Sequence, residues 1–155
     1  MKRTHAFLAI GLASAASAAT VASAEGGTPA ARSSRAATVQ LRHTSLGSIL
    51  VSSSGRTLYK FTRDHPGKSS CAPISGCAET WPALKTGAKP TAGAGVKAPL
   101  LSSIKLPSGG KQVTYAGHPL YTYSGDSEAG ATSYVGAKQF GGRWYALNAS
   151  AGTVK

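Results

Sequence analysis

Two aspartates, Asp64 and Asp126, each end a nearly identical run, LYKFTRD from Leu58 and LYTYSGD from Leu120. Paired carboxylates are the residue type that general acid/base chemistry uses, one as acid and one as base. Near them in sequence stand the phenols Tyr59 and Tyr121 and the imidazoles His65 and His118, with His43 further off. Carboxylate, phenolate and imidazole together form a donor set for ferric or cupric ions. Each group also has a structural reading. The aspartates follow strand-like runs and open the turns DHPG and DSEAG, where an Asp side chain accepts hydrogen bonds from the backbone N–H groups just beyond it. Tyr59 with Phe61, and Tyr121 with Tyr123, alternate at strand spacing, which suits a core face. The histidines lack pairwise ligand spacing, and neither a nucleophile elbow nor a Gly-rich phosphate loop is present. The sequence therefore assigns no catalytic residue, no metal ligand and no cofactor. Tyr59, Phe61, Asp64, Tyr121, Tyr123 and Asp126 are expected to be structural.

These residues sit in a longer repeat. Val51 to Asp64 aligns without a gap on Val113 to Asp126. Each copy reads as a hairpin: Ser48 to Val51, the turn SSSGR and Thr57 to Phe61 in the first; Gln112 to Tyr115, the turn AGHP and LYTY in the second. A tryptophan strand follows each, ETWPAL around Trp81 and GRWYAL around Trp144. The expected fold is all-β: a small single domain of two pseudo-two-fold-related hairpin-plus-Trp-strand repeats, packed as a sandwich or barrel. The repeats run from about 46 to 84 and from about 108 to 147. A half of this size cannot close its own core, so Trp81 and Trp144 should be buried where the halves meet.

The start of the chain, MKRTHAFLAIGLASAASAATVASA, has a basic head, an apolar run and the small residues Ala22 and Ala24 before a cleavage point. Residues 1–24 read as a secretory signal peptide, with no transmembrane segment once it is removed. Residues 25–38, EGGTPAARSSRAAT, have the composition of a flexible linker. Residues 39–155 then form the β domain. Cys71 and Cys77, in an exported chain, are expected to pair as a disulfide rather than to bind metal. Lys2 and Arg3 account for two of the seventeen basic side chains, and the remaining fifteen face only five acidic ones. A surplus of that sign favours anionic partners. Outside the cell these are the polymers and head groups of the envelope, and no module for specific nucleic-acid recognition is present.

The runs LGSILVSSSGRTLYKFTRD, CAPISGCAETWPAL, GKQVTYAGHPLYTYSGD and FGGRWYAL, in this order, resemble the bacterial secreted-repeat family, also described as predicted lipoproteins with a Yx(FWY)xxD motif. The likeness spans about Leu46 to Leu147. It implies an exported repeat domain and no particular activity. Two features depart from the family pattern: the leader carries no lipid-bearing Cys, and the segment between the cysteines is longer than the usual CxGxC. The function expected is that of a non-enzymatic module associated with the cell envelope. The alternative is an extracellular metal-, haem- or redox-handling accessory protein.

Overall fold

Short runs of β-branched and aromatic residues broken by Gly-rich turns give short strands. The structure, a computed structural model, describes residues 35–155. The expected signal peptide, and all but the last four residues of the expected linker, lie outside the described residues. In chain order the elements are β1 (Thr38–Thr44), β2 (Gly47–Ser52), β3 (Tyr59–Phe61), the helical turn α1 (Cys77–Thr80), β4 (Lys85–Thr86), β5 (Thr91–Ala92), a 3-10 turn (Ala98–Leu100), β6 (Leu101–Lys105), β7 (Lys111–Tyr115), β8 (His118–Pro119), β9 (Lys138–Gln139), β10 (Gly142–Leu147) and β11 (Thr153–Val154).

Two antiparallel hairpins frame the fold. β1 pairs with β2 from Val39↔Ser52 to Thr44↔Gly47, and β6 pairs with β7 from Leu101↔Tyr115 to Lys105↔Lys111. β5 adds to β1 in parallel. β4 and β8 add to β7, and a third sheet is built from β11, β10 and β3, with β9 beside β10. Among the described residues the sheets do not close into a barrel.

The halves are joined at the doubled motif. Tyr59 and Tyr121, equivalent residues of the two copies, exchange both backbone hydrogen bonds, at 2.9 and 3.0 Å. An antiparallel pair of equivalents lies on the axis relating the halves. On either side each motif strand takes the tryptophan segment of the other half. Tyr59 pairs with Ala146 of β10, while Tyr121 bridges to Ala83. The bonds from Thr62 N–H to the Arg143 carbonyl and from Ser124 N–H to the Thr80 carbonyl repeat the relation further out.

Alternation of side chains along the motif strands then fills two of the three buried clusters among the described residues, the third being Ile49, Val51 and Ala146. Leu58 and Leu120 enter an aliphatic cluster with Val39, Leu50, Leu101, Val113 and Leu147. Tyr59, Phe61 and Tyr121 enter an aromatic cluster with Trp81, Trp144 and the two cysteines, against which Tyr123 packs. The fold is the all-β, two-repeat architecture read from the sequence, with several small sheets in place of a barrel.

Three expected elements differ. β2 pairs with β1 along its length, and meets the segment before β3 at its end alone, through the Val51↔Thr57 bridge, the Ser52 N–H bond to the Arg56 carbonyl and the Leu58 N–H bond to Leu50. In the second copy the turn is Ala116–Gly117, both at positive φ, so His118 and Pro119 are already strand. ETWPAL is not a strand at its start. Trp81 N–H closes a helical turn onto the Cys77 carbonyl at 2.7 Å, and Pro82 has no N–H to give a ladder, so pairing resumes only at Ala83 and Leu84.

Candidate functional site

The motif side chains converge at the repeat axis, and they cross it. Asp126 of the second copy accepts a hydrogen bond from the Tyr59 hydroxyl of the first, 3.0 Å to Oδ2. Reciprocally, the Tyr121 hydroxyl lies beside Asp64 and shares a 2.8 Å hydrogen bond with Ser69 Oγ. Both aspartate N–H groups also close a tight turn onto the motif aromatic, Asp64 to the Phe61 carbonyl and Asp126 to that of Tyr123. Asp64 Oδ1 additionally accepts the Ser70 N–H at 2.6 Å. Asp126, only 7% exposed, takes its described hydrogen bond from the other repeat instead of from the backbone of its own turn.

Burial dominates the electrostatics. It raises the Asp64 carboxyl to about 6, against the pull of the Ser70 N–H and the Tyr121 hydroxyl. Burial also raises Asp126, opposed by the Tyr59 hydroxyl and the Arg56 charge. Both phenols move up, first because they are desolvated, and further because each faces a carboxylate. One oxygen of each aspartate, Asp64 Oδ2 and Asp126 Oδ1, is buried without a hydrogen-bond partner among the described residues.

Beneath these pairs runs a column of rings. Phe61 stacks on Trp144 with centroids 4.2 Å apart, and Trp144 stacks on Trp81 at 3.9 Å with planes 1° apart. Trp81 meets Tyr123 at 4.6 Å, and Tyr123 meets Tyr134 at 3.7 Å. Tyr59 stands edge-on to Trp81, as Tyr121 does to Trp144. The near end is closed by Gly142, where an added Cβ would sit 2.5 Å from the Phe61 ring. Trp81 Nε1 donates to Gln139 Oε1 at 2.8 Å, whereas Trp144 Nε1 has no partner among the described residues.

Two recesses flank the column. One, about 160 Å³, lies beside Cys71 of the Cys71–Cys77 disulfide and is walled by Trp81, Pro82, Ala83 and Leu106, with Ser69 and Tyr121 also in its lining. The other, about 280 Å³, is polar and is formed by the Asp126–Tyr134 loop with Ser127, Glu128 and Ser133. Among the described residues no group of three or more His, Cys, Asp or Glu side chains is placed to hold a metal.

All the residues singled out in the sequence meet here except His43 and His118; His65 follows Asp64, and its charge adds a small downward pull on that carboxyl. His118 lies near Lys60 on β3, whose charge adds to burial in lowering the imidazole. Sequence reasoning missed Ser69, Ser70, Gln139, Arg56 and Tyr134. Of these, Tyr134 carried a signal, as an aromatic in the variable loop that faces the cysteine loop in the repeat alignment.

A disulfide-closed, all-β tandem repeat with crossed Tyr–Asp pairs defines the class. The chain belongs to the family described as a secreted repeat of unknown function, whose profile matches residues 41–85 and 102–148. Neither the curated proteins nor the solved structures compared with it contain a match. The family and the closed disulfide fit a domain that works outside the reducing cytoplasm. Among the described residues, no helix is long and apolar enough to cross a membrane.

Proposed function

We propose that this exported domain is a non-enzymatic module of the cell envelope that binds anionic polymers, with the doubled motif as its scaffold. In this reading Tyr59, Phe61, Asp64, Trp81, Tyr121, Tyr123, Asp126 and Trp144 hold the halves together. The basic side chains on the hairpin ends make the contact.

One observation carries the reading. Lys138 and Arg143 stand directly opposite each other on β9 and β10, and Arg63 reaches over the same tip to donate to the Phe140 carbonyl at 2.9 Å. Like charges in register destabilise a hairpin. All three residues are exposed, so an anion between them would remove the repulsion. The arginines are anchored by backbone carbonyls, Arg143 through Gly136 at 3.0 Å, which orients their forks for phosphate or carboxylate groups. Lys105 and Lys111 form a second exposed like-charge pair on the β6–β7 hairpin.

The test is binding to polyphosphate and to a neutral glucan, across a salt series. The reading expects binding to polyphosphate alone, weakening as salt screens the charges. The triple variant R63Q/K138Q/R143Q should lose about 1.4 kcal/mol or more of that binding, roughly tenfold. Unchanged affinity in the triple variant, or equal binding to the glucan, would contradict it.

A further inference from the structure

We propose that the aromatic column is a one-electron relay: an oxidising equivalent arriving at Tyr134 and Tyr123 passes to the stacked Trp81 and Trp144 and comes to rest on Tyr59, whose phenolic proton moves to Asp126. This inference stands apart from polymer binding and uses none of the basic tips.

Four features of the geometry carry it. First, the rings are in continuous contact from the loop inward, with successive centroids from Tyr134 through Tyr123, Trp81 and Trp144 separated by 3.7, 4.6 and 3.9 Å. Second, the column has an accessible end and a closed end. Tyr134 and Tyr123 are half-buried, while Trp81, Trp144 and Tyr59 are fully enclosed. Third, the tryptophans cannot keep the charge by losing a proton. Trp144 Nε1 has no partner among the described residues, and Trp81 Nε1 faces a side-chain amide oxygen, which is not a base. Fourth, Tyr59 stands edge-on to Trp81 at 5.1 Å, and its hydroxyl already donates to the Asp126 carboxylate at 3.0 Å. Burial raises the proton affinity of that carboxylate. Tyr121 sits symmetrically against Trp144 and beside Asp64, but its closest hydroxyl contact is Ser69 Oγ at 2.8 Å, whereas the second contact of the Tyr59 hydroxyl, the Ala131 carbonyl at 3.3 Å, is longer than the one to Asp126.

The step balances with an external one-electron oxidant, of the peroxide-derived radical class that an exported protein meets. The oxidant gains one electron from the outer end of the column. A proton that Tyr134 or Tyr123 releases to solvent on oxidation is taken back as that ring is refilled, and the vacancy moves inward to be filled by an electron from Tyr59. The Tyr59 O–H bond breaks, and an O–H bond forms at Asp126 Oδ2. The products are the reduced oxidant, a neutral tyrosyl and a neutral carboxylic acid, with no net charge placed on the enclosed pair. Such a relay would draw oxidising equivalents away from the surface loop into a shielded site.

The experiment is flash oxidation of the full mature chain by a photogenerated ruthenium(III) polypyridyl complex, followed by transient absorption in ordinary and heavy water with ascorbate present. The relay expects a tryptophan radical that converts to a neutral tyrosyl radical shielded from ascorbate, more slowly in heavy water. Tyr59→Phe should abolish the shielded tyrosyl and leave the signal at the tryptophan stage. Asp126→Asn should slow the conversion, and Tyr134→Phe should slow the first appearance of the tryptophan radical. Near-ultraviolet circular dichroism of each variant checks that the rings remain packed, and if Tyr59→Phe fails to fold, Asp126→Asn decides. A shielded tyrosyl signal that survives Tyr59→Phe, or a conversion indifferent to Asp126→Asn, overturns the proposal.

Discussion

The two halves share a skeleton and differ in their covers. Around the axis the correspondence is close: Tyr59 answers Tyr121, Phe61 on Trp144 answers Tyr123 on Trp81, and each motif strand takes the other half's tryptophan segment. Outside it the correspondence stops. The first half covers the flank of the column at Trp81 with a disulfide loop beside an apolar recess. The second uses the Asp126–Tyr134 loop, which has no disulfide and encloses a polar recess. What is repeated is what neither half can supply alone, because each motif strand needs the other half's tryptophan segment to complete its pairing. What is not repeated was free to diverge without breaking that exchange.

The strongest way to break the comparison is to empty the shared column. Trp81→Ala and Trp144→Ala should each cost ~3–5 kcal/mol, the scale of a buried aromatic removed without collapse of the site. Because each tryptophan packs against both halves, either variant should still unfold in one transition. Denaturant titration followed by tryptophan fluorescence and by far-ultraviolet circular dichroism tests this. Two separated transitions would show halves that fold independently.

Much of the skeleton was legible. Period-two alternation placed Tyr59 and Phe61 on one face and Leu58 on the other, and these faces enter different cores. GRWYAL reads as a strand and is one. ETWPAL reads the same way in composition, yet the helical turn begun at Cys77 and the missing N–H of Pro82 delay its pairing. Such an outcome depends on what precedes the segment. β1 was hidden in a polar run, TVQLRHT, whose apolar positions Val39 and Leu41 are too few to signal a strand. The crossing of each aspartate to the opposite repeat could not be read at all. Spacing shows that a carboxylate follows a strand, but its partner is chosen by the docking of the halves.

The disulfide sharpens the difference between the covers. Replacing Cys71 and Cys77 together by Ser should lower stability by about 2 kcal/mol, the entropy of a short closed loop. The effect should be local as well as global. Protease cleavage between residues 71 and 77 should accelerate, while cleavage in the 126–134 loop should rise only with global unfolding. Mass spectrometry of early digestion products separates the two loops. Equal acceleration at both would mean that the covers are coupled through the column.

The smallest effect, and the finest comparison, concerns the two aspartates. Burial raises both above the ordinary carboxylate value, so the folded protein holds these protons more tightly than the unfolded chain does. Their contribution to stability is then fully present below the unfolded value, and it is lost as pH rises through the folded one. For Asp64 that window runs from 3.8 to about 6. Stability contributed by this group should fall across the interval and level off above it. Asp64→Asn cannot ionise, yet its amide keeps an oxygen for the Ser70 N–H and gains a donor toward Tyr121. It should therefore flatten the slope between pH 4 and 6 without a loss of stability at pH 7. Asp126→Asn removes a titration too, but its crossed bond asks an amide to take the place of a charged acceptor for the Tyr59 hydroxyl. The amide oxygen is the weaker acceptor, so Asp126→Asn should be less stable than Asp64→Asn at neutral pH even though both flatten the profile. Urea unfolding of the two variants and the parent at a series of pH values measures both quantities. Identical profiles for the two variants would show that a carboxylate tied to its own turn and one tied across the axis are interchangeable, and the asymmetry between the halves would then be confined to their covers.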